Sequence, residues 1–396
     1  MLRSQVGISK CKDYDRVEEA VRSSVELIGG IGSVVLPGQK VVVKPNLLCA
    51  APPEAAITTH PAVVEAVVKL VVEAGGEAII ADSPGTSIPY IEKGLKRIYR
   101  ATGMEDVAER RGARLNFDTS VSEVPYPEAS VAKRLEIIRP ALEADLVINV
   151  PKLKTHVYTT FSGAVKNLFG LVPGYTKAGY HAKFNNLIYF SKMLLDIFNF
   201  VRPALNVMDG VVALEGDGPG WHGHPRKVGV VMASLDGLAL DVAACRLVGI
   251  HPERVPTLEI AREQGLVDFE GIEIKGCQEK FVGFKMPSVC RDPAGYVQSG
   301  FFRSFVHPVL ISMLTARPVP IEDRCSGCGT CLSACPRGAI EVRGGVAVVD
   351  HDLCIRCYCC HELCPYAAID LRTSWLGRLL RRTGVMGRWS RGEISQ

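Results

Sequence analysis

The sequence predicts an α/β chain in two parts: a doubly wound, mostly parallel sheet covered by helices, followed by a small cysteine-rich α+β module. Short β-branched runs alternate with helical stretches from residue 40 to about residue 276, and the alternation then fails in a Pro- and Gly-containing stretch. Nine of the 14 cysteines fall between Cys325 and Cys364. Alternation of strands with helices favours a parallel sheet with both faces covered, and 396 residues are enough for two or three domains.

Taken in order, residues 40–44 (KVVVK) form a buried-strand signal. Residues 61–74 (PAVVEAVVKLVVEA) start a helix at Pro61 and stop at Gly75-Gly76, and residues 77–81 are the next strand, completing one β-α-β unit. Further strands are expected at 146–150, 204–208 and 227–232, with helices at 184–200, 237–247 and 255–264. No period of 20 to 50 residues repeats through this alternating part, so a solenoid is not indicated. The expected division is an α/β domain over 1–276, a linker over 277–320 with a short amphipathic helix near 301–316, a compact module over 321–371, and a basic tail over 372–396. That tail sets six arginines and two tryptophans, Trp375 and Trp389, against the single acid Glu393. It is either a solvated end or a surface for a partner or an anionic membrane.

The formal charge of +4, from 46 basic and 42 acidic residues, is too balanced to point to nucleic acid. The first ten residues lack the apolar core of a secretory signal, and no apolar run reaches about 18 residues. A reducing cytoplasm is the expected setting, because clustered thiols there stay available as metal ligands instead of pairing.

The strongest signal is Cys325-x2-Cys328-x2-Cys331-x3-Cys335-Pro336, which returns as Cys354-x2-Cys357-x2-Cys360-x3-Cys364-Pro365. Three closely spaced thiolates can wrap one iron–sulfur cube, while the fourth Cys of each run reaches across to the other cube. Cys325, Cys328, Cys331 and Cys364 are thus expected to hold one [4Fe-4S] cluster, and Cys354, Cys357, Cys360 and Cys335 the second. Zinc also binds paired C-x2-C units, but two full four-Cys runs, each closed by Pro, favour iron–sulfur. This segment resembles a bacterial two-cluster ferredoxin domain. Cys359 departs from the pattern by sitting beside Cys360, and is expected to be a spare thiol.

In the larger domain, residues just past strand ends matter most, since open α/β sheets bind ligands there. Lys44, Lys152, Lys154, His156 and Lys166 could hold a phosphate or carboxylate, helped by helix starts at Pro61 and after Gly163. Asp82, Asp209, Glu215 and Asp217 could coordinate a hard cation or act as acid and base, although Asp82 and Asp209 could equally cap turns. His222 and His224 are either ligands or residues of a mobile surface loop. His181 and His251 have no distinguishing context. No Gly-x-Gly-x-x-Gly follows a strand and no Walker loop is present, which argues against a routine dinucleotide or nucleotide site.

Lys44-Pro45-Asn46, Thr59-His60-Pro61, the run from Asn149 to His156 (NVPKLKTH), the run from Gly163 to Gly170 (GAVKNLFG), Met208-Asp209-Gly210 and Leu240-Asp241 resemble the domain-of-unknown-function 362 family. The resemblance spans roughly residues 5–275. It implies one shared site built from those motifs, with Asn46, Asn149 and Asn167 joining Lys44, Lys152, Lys154 and Lys166 as substrate-binding residues. It supplies no substrate.

Two functions compete, with a purely structural cluster module, one that dithionite would not reduce, as a third reading. One is an oxidoreductase relaying single electrons through two [4Fe-4S] clusters to an anionic substrate or cofactor, with His156 as proton donor and Asp82 or Asp209 orienting. The other is a non-enzymatic electron-transfer subunit, or an iron–sulfur or metal-delivery protein, that docks a partner. Either requires a ferredoxin-like or flavoprotein electron donor or acceptor, and nucleic acid is not expected.

Overall fold

The computed structural model describes residues 3–288 and 315–374. Most of the linker helix expected near 301–316 and nearly all of the basic tail lie outside these residues.

The large domain is built on one sheet. Its strands are β1 (Ser4–Lys10), β2 (Lys40–Pro45), β3 (Glu77–Ile80) and β4 (Arg114–Leu115); a separate hairpin, β5 (Val121–Pro125) and β6 (Arg134–Ile138), follows. The sheet continues with β7 (Leu146–Val150), β8 (Lys152–His156), β9 (Thr160–Ser162), β10 (Leu205–Gly216), β11 (Gly223–Ser234) and β12 (Ile272–Gly276). The order across it is β12-β1-β11-β10-β7-β2-β3-β4, with the β8–β9 hairpin attached to β10. Pairing is parallel from β10 through β7, β2 and β3 to β4, and antiparallel where β11 meets β1 and β10.

Side-chain alternation sorts this sheet into two cores. Val42 packs on one face, with Phe190 and Leu194 of the helix Leu187–Val201 and with the helix Gly237–Leu247. Val41 and Val43 pack on the other, against the helices Val17–Glu26 and Pro61–Glu73. Successive strand residues point to opposite faces, so KVVVK, covered on both sides, is apolar throughout.

The structure extends the expected pattern in three places. Ser4–Lys10 is a strand, although its mixed polarity hides it, because it lies between β11 and β12. The strand expected to end at Met208 continues to Gly216, bending at an irregularity between Gly210 and Val212. Lys152–His156, expected as a polar segment past a strand end, is itself a strand: Pro151 breaks the run after β7, and the chain re-enters beside β10. Its five residues are all buried despite three basic side chains.

The cysteine module comprises β13 (Arg317–Pro320) paired with β16 (Ile369–Arg372), β14 (Ile340–Arg343) paired with β15 (Val346–Val349), and the short helices Thr330–Ala334 and Cys359–Leu363. It docks directly on the α/β domain. The Tyr358 ring meets Tyr158 edge-on at 6.3 Å, and His361 stacks on His222 at 3.7 Å, while the Tyr358 hydroxyl donates within the module to the Ala316 carbonyl at 3.0 Å. Gly220 lies so close that a Cβ there would sit 2.0 Å from the Glu362 carbonyl oxygen.

Candidate functional site

Parallel register brings the polar strand ends together. Lys44 ends the run of β2 beside Asn149 of β7, and Asp82 follows β3 on the other side. Lys44 Nζ and Asp82 pair at 2.7 Å, both buried. Burial pushes Lys44 down and Asp82 up from their ordinary values, each partly opposed by its partner. The pair fits only because residue 170 is glycine: a Cβ there would lie 2.1 Å from Asp82 Oδ1 and 2.5 Å from Lys44 Nζ.

A directed chain of side-chain amides crosses the floor. Lys154 Nζ donates to Asn46 Oδ1 at 2.8 Å, and Asn46 Nδ2 donates to Asn167 at 2.9 Å. Asn167 donates to Asn149 at 2.8 Å, Asn149 to Asn206 at 2.9 Å, and Asn206 to the Ser234 carbonyl at 3.3 Å. Each amide both accepts and donates along the row, an arrangement in which hydrogen bonds polarise one another. Its physical effect is to offer Lys154 a strong acceptor in a buried place. Burial, reinforced by Lys166 and Lys152, nonetheless brings Lys154 down to about 7.

The β8–β9 hairpin carries His156 toward the same point. The Tyr158 backbone N–H donates to His156 Nδ1 at 3.0 Å, so the neutral ring holds its proton on Nε2. Burial first, then Lys166 and Lys154, hold this imidazole well below its usual pKa and hence neutral. Nε2 lies near Glu362 Oε1, and neither atom has a hydrogen-bond partner among the described residues. Burial raises Glu362 to about 7 against the opposing charge of Lys166. The helix Ala164–Asn167 supplies Lys166, which lies over the rings of Phe169 and Phe190 at 5.6 and 5.7 Å.

These groups line one cavity of about 80 Å³ between the two domains. From the α/β side come Lys44, Asp82, Lys154, His156, Lys166 and Lys177; from the cysteine module come Cys359, Glu362 and Leu363. Of the residues expected from sequence, Asn46 and Asn167 also reach the lining, whereas Asn149 lies below it in the amide row. Lys152 and Asp209 pair with each other at 2.7 Å and do not line the cavity. Tyr14, stacked on His60 at 3.5 Å, donates to Asp209, which also accepts the His60 N–H at 3.0 Å. Asp209 thus holds the start of the helix Pro61–Glu73 that was expected to offer its amides to an anion. The helix start after Gly163 is taken as well, since Asp241 accepts from the Ala164 and Val165 amides. Glu215 and Asp217 accept the Lys285 and Ser288 amides and so tie down the segment that follows β12.

Sequence reasoning missed Lys177, which donates to the Ser83 carbonyl, the Ser83 hydroxyl and the Pro84 carbonyl and is brought down to about 7 by burial. It also missed His181, a cavity residue stacked on Phe190 at 4.4 Å. A helix of mixed polarity carries both, with no motif to mark them. His222 stacks on His361 of the cysteine module, and His224 is exposed on β11.

In the cysteine module, Cys325, Cys328, Cys331 and Cys364 line one cavity, the set expected from the crossover. Burial first, with Cys357 and Cys335 adding, pushes the Cys354 thiol up, so these three sulfurs lie near one another as well. The Ala347, Ala339 and Ala368 amides donate to the sulfurs of Cys325, Cys335 and Cys364 at 3.4, 3.3 and 3.2 Å. Cavity and amide donors both suit thiolates around a cube-shaped cluster. Among the described residues no three His, Cys, Asp or Glu side chains form a compact group that would hold a single ion.

The two runs make one repeat offset by 29 positions (354 minus 325). Left-handed backbone recurs at equivalent places: Gly327 and Arg356 (φ 66° and 55°), Gly329 and Tyr358 (75° and 64°), and Gly338 and Ala367 (61° and 47°). The second run thus adopts with side-chain-bearing residues a conformation that the first adopts with glycine. Such residues cost on the order of 1–3 kcal/mol each unless their surroundings hold them. Tyr358 is held by its bond to Ala316 and its packing on Tyr158.

The family described as domain of unknown function (DUF362) matches residues 41–246, and the 4Fe-4S binding domain matches twice, at 318–341 and 347–370. The thylakoid-associated protein sll1697 of Synechocystis sp. (strain ATCC 27184 / PCC 6803 / Kazusa) is 37% identical over 251 residues, covering 62% of this chain and 74% of that protein. The lactate racemase apoprotein from Thermoanaerobacterium thermosaccharolyticum aligns at 16% identity and a TM-score of 0.38 over 60% of this chain; the chain spans 55% of that structure's length. The paired match and the clustered cysteines give the chain two [4Fe-4S] clusters and an iron–sulfur electron-transfer role. No helix among the described residues is long and apolar enough to cross a membrane.

Proposed function

Since the chain belongs to the DUF362 family and carries a paired 4Fe-4S binding domain, we propose that it is an oxidoreductase delivering single electrons to an anionic substrate or cofactor in the interdomain cavity. One observation carries this reading: the cavity is walled on one side by Lys44, Lys154, Lys166 and Lys177, and on the other by the helix that bears Cys360. When bound, the clusters supply single electrons at low cost in rearrangement. The ligand sets are those of the crossover, Cys325, Cys328, Cys331 and Cys364 for one, and Cys354, Cys357, Cys360 and Cys335 for the other.

The chain's own groups divide the remaining work. Lys44 and Lys177 have their N–H groups directed at protein acceptors and provide positive field. Lys154 uses two donors on Asn46 and Ile57, leaving one for a ligand. Lys166 makes no hydrogen bond among the described residues and has all its donors available. His156, held neutral, presents Nε2–H as a hydrogen-bond donor to the substrate in place of a proton donor, Asp82 orients Lys44, and Asp209 has a structural place beside Lys152. Cys328 is exposed, so a ferredoxin-like or flavoprotein carrier exchanges electrons at that end.

The test is anaerobic purification followed by mass spectrometry of extracted small molecules. The expected result is a retained anion that Lys154→Gln and His156→Gln each release. Retention unchanged in both variants would sink the assignment.

A further inference from the structure

Cys359 and Glu362 face the cavity from the five-residue helix Cys359–Leu363, and Cys360 of the second cysteine run lies between them. A helix of that length is about 7 Å long, so cavity and second cluster are near neighbours. Lys166 lines the opposite wall, and the negative charges that favour its ammonium form are those of Glu362 and Cys359, both on this helix. Its freedom from hydrogen bonds sets it apart from Lys44, Lys154 and Lys177. Two unpartnered buried atoms, His156 Nε2 and Glu362 Oε1, meet at the same wall.

Resting on the reading of this cavity as an anion site, we propose that Lys166 is the shared counter-charge of the cavity and the second cluster, so that a bound oxyanion and an added electron oppose each other. The anion is a small oxyanion seated on Lys166, Lys154 and His156 Nε2–H. It binds the oxidised protein tightly and leaves when the second cluster gains its electron. No bond is made or broken in this coupling; each event adds negative charge on one side of the same ammonium group. Two unit charges roughly 10 Å apart at an effective dielectric near 20 change an equilibrium on the order of tenfold. Coupling is reciprocal: the factor by which reduction weakens binding is the factor by which binding disfavours reduction. Tenfold corresponds to about 59 mV for one electron.

The experiment uses the full holoprotein under anaerobic conditions, with inorganic phosphate and oxalate as separate probes. Calorimetry compares the oxidised protein with protein reduced at an electrode, and potentiometry followed by electron paramagnetic resonance reads both midpoints with and without saturating anion. The expected result is about tenfold weaker binding after reduction, one midpoint lowered by about 59 mV, and the other nearly unmoved. Lys166→Gln should weaken anion binding to the oxidised protein and lower the second cluster's midpoint even without anion, and Lys166→Arg should keep both near their original values. Equal affinity in both redox states with unmoved midpoints overturns the coupling while leaving the anion site standing. Failure of both probes to bind the oxidised protein at millimolar concentration overturns the anion site itself. Equal shifts of both midpoints overturn the role given to Lys166 and its facing helix.

Discussion

His156 Nε2 lies 3.4 Å from Glu362 Oε1, and the two residues come from different domains. Neither atom finds a hydrogen bond among the described residues, and a buried polar atom left in that condition costs about 1–3 kcal/mol. A ligand hydroxyl touching both atoms would accept from Nε2–H and donate to Oε1. Two of the fold's unpartnered buried polar atoms therefore face each other across the domain boundary.

The crossover predicts which cluster each fourth cysteine serves. Cys335→Ala should remove the cluster of the Cys354 run, and Cys364→Ala that of the Cys325 run, each lowering iron from about eight to about four per chain. Iron analysis with Mössbauer spectra of the residual cluster checks this. Loss of the variant's own run's cluster in either case would exclude the crossover.

Cys359 is buried between two ligands, and a hydrogen bond with Cys357 and then burial push its thiol up. Cys359→Ser should keep about eight irons per chain while moving the potential of the second cluster, since a donor to a ligand sulfur tunes the metal. Iron falling to half would make Cys359 a ligand.

Gly170 leaves room for the Lys44–Asp82 pair. Gly170→Ala should separate the pair, destabilising the fold by about 3–5 kcal/mol, as expected for breaking buried ion pairs. Denaturant unfolding measures it; a loss below about 1 kcal/mol would mean that the backbone shifts to accept the methyl group.

Lys154 titrates near pH 7 instead of at the usual lysine value. Its ammonium form holds the anion, so affinity should fall as pH rises through 7, by up to about tenfold per unit. Without ligand the sign for stability is opposite: between pH 7 and the ordinary lysine pKa only the unfolded chain holds this proton, so Lys154's contribution to stability rises with pH. Calorimetric titration of phosphate from pH 6 to 8.5 tests the first statement, and a flat profile, or one unchanged in Lys154→Gln, counts against it.

Long apolar periodicities made most of the parallel sheet legible: 146–150 and 237–247 coincide with their observed elements, and the helix at Pro61 differs by one residue. The cysteine spacing likewise identified the residues that line the first sulfur cavity. Ser4–Lys10 was hidden because a strand recruited between two others needs little apolar signal of its own. Lys152–His156 was misplaced because a strand bearing three basic residues looks like a loop until buried partners such as Asp209 and Asn46 are known. Lys177 and His181 could not be found from spacing, since only tertiary folding brings the helix Gly174–Lys183 over Ser83 and Phe190.

The unequal halves of the cysteine repeat have a consequence for portability. A run whose left-handed positions are glycines can stand in any surroundings, as the first half does at Gly327 and Gly329. The second half, with Arg356 and Tyr358 in those positions, leans on Tyr158 of the α/β domain as well as on Ala316 of its own module. Cut free at residue 315, the module should keep its first cluster far longer than its second. It is no longer an interchangeable electron carrier but half of a single machine.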